Sequence, residues 1–220
     1  MVNSFKHFPN KARQEQAQNA YSILCSTHET VSSLFNLYKS LITKKPQDEI
    51  TEQEQDLLRA ILIFATSGID SMIKQLIRDT LALVIQKDDG AASVFSLFVE
   101  KEMSRKDDLN IKLLTGALIS GAPKEHFINH MIRNLTSNSL QSKDELLKIA
   151  SYFNISSSVL TKDFPLLKKI FDVRNQIAHE MDFDYISQSR RRREESDMIS
   201  YTTEILRIAQ IFLQEVDTKL

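Results

Sequence analysis

Residues 57–85, Leu57 to Ile85, read LLRAILIFATSGIDSMIKQLIRDTLALVI. Leu58, Ile61, Leu62, Ala65, Ile69, Met72, Ile73, Leu76 and Thr80 recur at three- and four-residue steps, the period of one helix face. Residues 60–65 are apolar on nearly every side, which predicts the central and most buried helix of a bundle. Upstream, Thr51 and Glu54 have the spacing of a capping box and fix where this helix begins. The densest apolar stretch, Leu57 to Ile69, is too short to span a bilayer. Arg59 and Asp70 bracket it, and charges at that depth are costly.

The same period extends on both sides. Ala20, Ile23, Leu24, Val31, Leu34, Leu37, Tyr38 and Leu41 predict a long first helix over 10–43, ended by Lys44, Lys45 and Pro46. Beyond a loop at Lys87 to Gly90, shorter helices are predicted over 91–105 and 109–120, from Pro123 to about Asn134, and from a Ser142/Glu145 cap to Phe153. Asp163 and Pro165 open a further helix, Leu166 to about Met181. A closing amphipathic helix starts at Ser196 or Asp197, with the stripe Met198, Thr202, Ile205, Ala209, Phe212 and Val216. No strand and no repeat is predicted. The expected fold is all-α: a nine-residue N-terminal tail, then one helical domain over 10–220.

Composition agrees. Four Gly and four Pro in 220 residues fall well below average usage of roughly 7% and 5%, which leaves long helices and few turns. The formal net charge of −1 gives no global attraction to polyanions, so any nucleic-acid contact must come from a local patch. One cysteine, Cys25, cannot close an internal disulfide and suits a reducing compartment. Met1 to Asn10 lacks the apolar stretch of a secretory signal. A soluble cytoplasmic protein without membrane contact is expected.

The Leu166–Met181 segment carries chemistry. On a helix, Leu166, Ile170, Val173 and Ile177 share one face, the expected core contact. Asp172, Asn175, His179 and Asp182 make a polar stripe opposite, with Arg174 on its flank and the small Ala178 between Arg174 and His179. Cutting RNA without a metal needs a base for the 2′-hydroxyl proton, an acid for the leaving oxygen and a cation for the phosphorane charge. Imidazole and guanidinium supply these functions. One copy offers a single such histidine, and two copies across a twofold axis offer two.

Arg174, Asn175, Gln176, Ile177, Ala178 and His179 spell Arg-Asn-x-Ile-Ala-His, which resembles the signature of the HEPN superfamily (higher eukaryotes and prokaryotes nucleotide-binding). The order of elements is similar too, from Leu57 onward: a long apolar helix, short helices, the motif helix and a closing amphipathic helix. The first helix stays unassigned. The likeness is greatest to the stand-alone bacterial branch of toxin–antitoxin, abortive-infection and phage-defence loci. Membership implies a helical bundle that dimerises through the motif helices, and a metal-independent endoribonuclease that leaves a cyclic phosphate and needs no cofactor. By the same match Arg174 and His179 are catalytic and Asn175 orients them. RNA is then the substrate, and an antitoxin or companion defence protein the partner.

As bare residues, Arg174 and His179 read more readily as a surface arginine and a helix-end histidine favoured by the helix dipole, and the family resemblance reverses that preference. A catalytically silent dimerisation module on the same surface is the alternative from another class. Asp172 and Asp182 either tune the histidine or are solvated. Arg190, Arg191, Arg192 and Arg193 either grip RNA phosphates beside the cleft or form a solvated run offset by Glu194, Glu195 and Asp197. His126 and His130, four apart on a helix, lack the further ligands that zinc demands, so no metal site is expected. Glu145 to Leu160 imitates a helix-turn-helix, which raises a DNA-binding regulator as a third class. Ser156, Ser157 and Ser158 offer little base readout, however, so core packing explains that stretch better.

Overall fold

The computed structural model describes residue 5 and residues 9–42, 50–105, 108–140 and 142–220, with the backbone alone for 108–110. Most of the expected tail, and the Lys44–Pro46 break, lie outside the described residues. The chain runs through a 3-10 turn at Glu15–Ala17, then α1 (Gln18–Ile42), α2 (Glu52–Lys87), α3 (Asp89–Ser104), α4 (Asp108–Ile119), α5 (Pro123–Thr136), α6 (Lys143–Tyr152), α7 (Ser157–Leu160) and α8 (Phe164–Glu180). A two-stranded hairpin, β1 (Phe183–Asp184) and β2 (Ser189–Arg190), separates α8 from α9 (Glu195–Asp217). Helices make up 78% of the described residues, consistent with a HEPN helical bundle.

The α2 helix is the axis of the bundle. Thr51 accepts from the Glu54 amide, and its own amide donates to Glu54 Oε2 at 2.8 Å, which closes the capping box. All nine residues of the expected stripe, Leu58 through Thr80, are buried. α1 and α9 pack along α2, with α3, α5 and α8 joining at their own contacts. At Gly68 α1 packs tightly against α2: a Cβ there would run into the Thr27 side chain. The apolar surround is incomplete on one side, because Phe64 is 50% exposed. By length and composition alone α2 would also suffice to cross a membrane.

Several boundaries differ from the sequence expectation, each for a polar reason. The first helix begins at Gln18 rather than Asn10, because the Arg13 and Gln14 amides donate to the Asp217 carboxylate at the end of α9. With acceptors already in hand, these amides gain nothing from a helical turn. Leu37 and Leu41, expected in the α1 stripe, are about half exposed, and Phe35 is buried instead. The loop expected at Lys87 to Gly90 shrinks to one residue. Asp88 ends α2 and caps α3, its carboxylate accepting from the Ala91 amide (2.8 Å), Asn154 (2.9 Å) and Lys219 (2.6 Å).

The imitation of a helix-turn-helix resolves into core packing. Leu146, Ala150, Phe153, Ile155 and Leu160 are all buried, and α7 is a single turn, too short to read a groove. The α9 stripe is buried in full. The long helices thus share one core, and α8 reaches that core with only part of its length.

Candidate active site at the end of the eighth helix

Asp163 caps α8 by accepting from the Leu166 amide at 2.8 Å, and Pro165 lies in the first turn. Leu167, Ile170, Phe171 and Val173 then face inward, fully or nearly fully buried. Leu166 and Ile177, expected on this face, are only partly buried against the core. The shift follows from three neighbours: α2, α6 and α9 all touch α8, so the covered arc is broad and centres on Leu167 and Phe171.

This rotation decides where Arg174 goes. It follows Leu167 by seven residues, two turns, and Phe171 by three, so it stands in line with the buried arc rather than on the open face. Its Nε is buried and has no acceptor among the described residues. Its head turns along the helix: Nη1 donates to Asn175 Oδ1 at 3.0 Å and reaches His179 Nε2 at 3.2 Å. A guanidinium only donates, so Nε2 is the acceptor there and the proton of the neutral ring sits on Nδ1. Arg174, Asn175 and His179 thus meet within one chain.

The surroundings of the trio are open. Ala178, His179 and Glu180 are exposed, as is Met181, because α8 has passed the edge of the bundle. A cation beside an imidazole at a solvent edge can neutralise a phosphate and move one proton. Cleavage through a 2′-hydroxyl moves two, one taken and one given, so a single copy is one proton carrier short.

The chain beyond His179 is held by a buried carboxylate. Asp182, expected either to tune the histidine or to be solvated, is 0% exposed. Its Oδ2 accepts from Arg59 Nε at 2.8 Å and Arg193 Nε at 3.0 Å, and its Oδ1 accepts from Arg193 Nη2. Arg59, itself 2% exposed, also binds Asp56 at 2.9 Å, Glu52 at 3.2 Å and the Arg191 carbonyl at 2.8 Å. Burial works against the Arg59 charge, and the bonds to Asp182 and Asp56 outweigh it, holding the guanidinium above its ordinary range. Met181 and Asp182 both take left-handed backbone, with φ of 52° and 57°. That conformation costs L-residues about 1–2 kcal/mol each and is sustained here by these bonds.

A hairpin follows, although no strand was expected. Phe183 pairs with Arg190 and Asp184 with Ser189. Two-residue strands are too short to show alternation. The Ile186 amide and the Ser187 hydroxyl donate to the Asp184 carboxylate at the tip, and the amide foremost holds that carboxyl below its usual range.

The arginine run is divided. Arg190 pairs with Asp56 at 2.7 Å and donates to the Met181 carbonyl at 3.2 Å. With Arg59 it holds the Asp56 carboxyl below the ordinary range. Arg191 donates from Nη1 to the Phe183 carbonyl, and Arg193 bridges Asp182 to Gln176 Oε1 at 2.8 Å. Arg192 is exposed. Arg190, Arg191 and Arg193 therefore serve contacts within the chain.

Elsewhere, Asp172 pairs with Lys168 on the exposed face of α8. His130, on α5, faces Glu102 at 3.3 Å and Asn134 at 3.2 Å. Sequence reasoning missed Arg59 and Gln176 as parts of this region. Arg59 was the readable signal, since a charge within the most apolar stretch of a central helix requires a buried partner.

Comparisons with curated proteins and with solved structures give no match. A protein-family model described as RiboL-PSP-HEPN matches residues 29–218. This span includes much of α1, which the motif-based likeness had left unassigned. With the match covering most of the chain and the helical architecture in agreement, the chain belongs to the RiboL-PSP-HEPN family of the HEPN superfamily.

Proposed function

We propose that the protein is a metal-independent endoribonuclease that acts as a homodimer. The observation that carries this reading is the 3.2 Å approach of Arg174 Nη1 to His179 Nε2 at the exposed end of α8. The 2′-oxygen attacks phosphorus while one imidazole takes its proton. The bond from phosphorus to the 5′-oxygen breaks as a second imidazole, protonated, returns a proton to it. A 2′,3′-cyclic phosphate and a 5′-hydroxyl result. Arg174 neutralises charge on the non-bridging oxygens, and Asn175 holds the guanidinium through its Oδ1.

A second copy supplies the missing proton carrier. Ala178 is exposed beside the trio, so a partner helix can come close there. Met181 (69% exposed), Tyr185 (67%) and Ile186 (95%) offer apolar surface next to it for such a contact. Membership of the family also supports a role in toxin–antitoxin or antiphage defence, with an antitoxin or companion protein restraining cleavage in the cytoplasm.

The test is cleavage of RNA by purified protein with EDTA present, together with solution mass by light scattering. Expected are a dimer, cyclic-phosphate ends, and loss of cleavage in His179→Ala and in Arg174→Ala. Cleavage that persists unchanged in both variants removes the site assignment. A dimer that never cleaves leaves a non-catalytic interaction module.

A further inference from the structure

We propose that Asp182 is a positioning residue, and that the buried Arg59–Asp182–Arg193 cluster sets the place of His179 at the end of α8. The proposal rests on the nuclease reading for its kinetic consequence only. His179 sits in the last turn of a helix whose apolar packing is running out: Ile177 is only partly buried against the core, and Ala178, Glu180 and Met181 are exposed. Hydrophobic contact alone holds this turn weakly.

Polar bonds locate it instead. The Gln176 carbonyl, three residues before His179, accepts from the Asp182 amide at 2.9 Å. The Gln176 side chain accepts from Arg193 Nη2 at 2.8 Å. Arg193 in turn lies on the Asp182 carboxylate, which also takes Arg59 of α2. The Arg193 backbone is pinned from the other side, its amide donating to Gln55 Oε1 at 2.7 Å and its carbonyl accepting from Gln55 Nε2 at 3.1 Å. A closed path therefore joins the central helix to the motif helix on both sides of His179. Within it Arg193 acts as a strut rather than a phosphate grip.

Removing the carboxylate frees the last turn, takes from Arg193 the carboxylate it pairs with and leaves the buried Arg59 with Asp56 and Glu52 alone. The experiment uses the full chain labelled with nitrogen-15 histidine, with His179 assigned by its absence from His179→Ala. In the wild type the ring is expected as the single tautomer protonated at Nδ1. In Asp182→Asn the ring signals move toward the average of free histidine, and kcat falls about 10- to 100-fold with KM little changed.

Should Asp182→Asn fail to fold, Arg193→Gln decides, because Asp182 stays paired with Arg59 there. It is expected to move the same ring signals by less, and Arg193→Lys to restore part of the shift. The proposal is overturned if either folded variant lowers the melting temperature while leaving the His179 signals and kcat as in the wild type. An inactive wild type ends the nuclease reading, and the ring signals still decide this one.

Discussion

The two halves of α8 are held by different forces. From Phe164 to Val173 the helix is fixed by buried Leu167, Ile170, Phe171 and Val173, an arrangement that tolerates small shifts because apolar contact has no preferred direction. From Arg174 to Asp182 few apolar side chains remain inside, and position comes from bonds with direction: Arg174 to Asn175 and His179, Gln176 to Arg193, Asp182 to Arg59. A proton-transfer group must face water and yet be placed to within a fraction of an ångström. Packing gives placement at the cost of exposure, and the polar lattice gives both.

If that division holds, the halves respond to mutation in different observables. The largest effect belongs to the exposed half. His179→Ala is expected to lower the cleavage rate about 10³- to 10⁴-fold, the scale of a lost general acid or base, with little change in thermal stability, since it removes an exposed side chain. Arg174→Ala combined with it should add little, because groups that act as a unit are not additive. Independent, multiplying losses would show that the two act separately.

Phe171→Ala gives the mirror image. Truncating a ring that is 2% exposed is expected to cost about 3–5 kcal/mol, read as a marked drop in melting temperature. Cleavage by the protein that remains folded should stay within a few-fold of wild type. A loss of kcat like that of His179→Ala would mean that the apolar half also positions the site, and the contrast would fail. Asp163→Ala probes the same half more gently, removing the side chain that caps the helix at Leu166, with an expected cost of about 1 kcal/mol and no change in kcat.

The apolar half was the legible half. The three- and four-residue steps of α2 and α9, and the caps at Thr51, Ser142 and Asp163, are local and survive without knowledge of the fold. The site was legible as residue types: the spacing of Arg174, Asn175 and His179 places them on neighbouring turns, and they do meet. What holds them was not. Asp182 and Arg59 lie 123 residues apart in the chain, and no periodicity links them. Left-handed Met181 and Asp182 carry no glycine to announce the turn. Asp182 therefore looked like one more polar residue on an open stripe, while the charge embedded at Arg59 hinted at a partner without naming it.

The smallest effect tests whether burial, rather than charge as such, gives the Asp182 cluster its hold. Lys168 and Asp172 form an ion pair on the same helix at 2.6 Å, closer than the 2.8 Å bond from Arg59 to Asp182. Both side chains are more than half exposed, so water and salt screen their attraction and each loses rotamer freedom in making it. Lysine four residues before the acid is also the weaker orientation on a helix. Lys168→Gln is accordingly expected to change stability by no more than about 0.5 kcal/mol, and the difference should vanish in molar salt. Cleavage should be untouched, because the pair lies two turns from His179 on the half set by packing. If this substitution instead disturbed the His179 ring as Asp182→Asn is expected to, charge anywhere on α8 would suffice to shift the site, and the division between the halves would lose its physical basis.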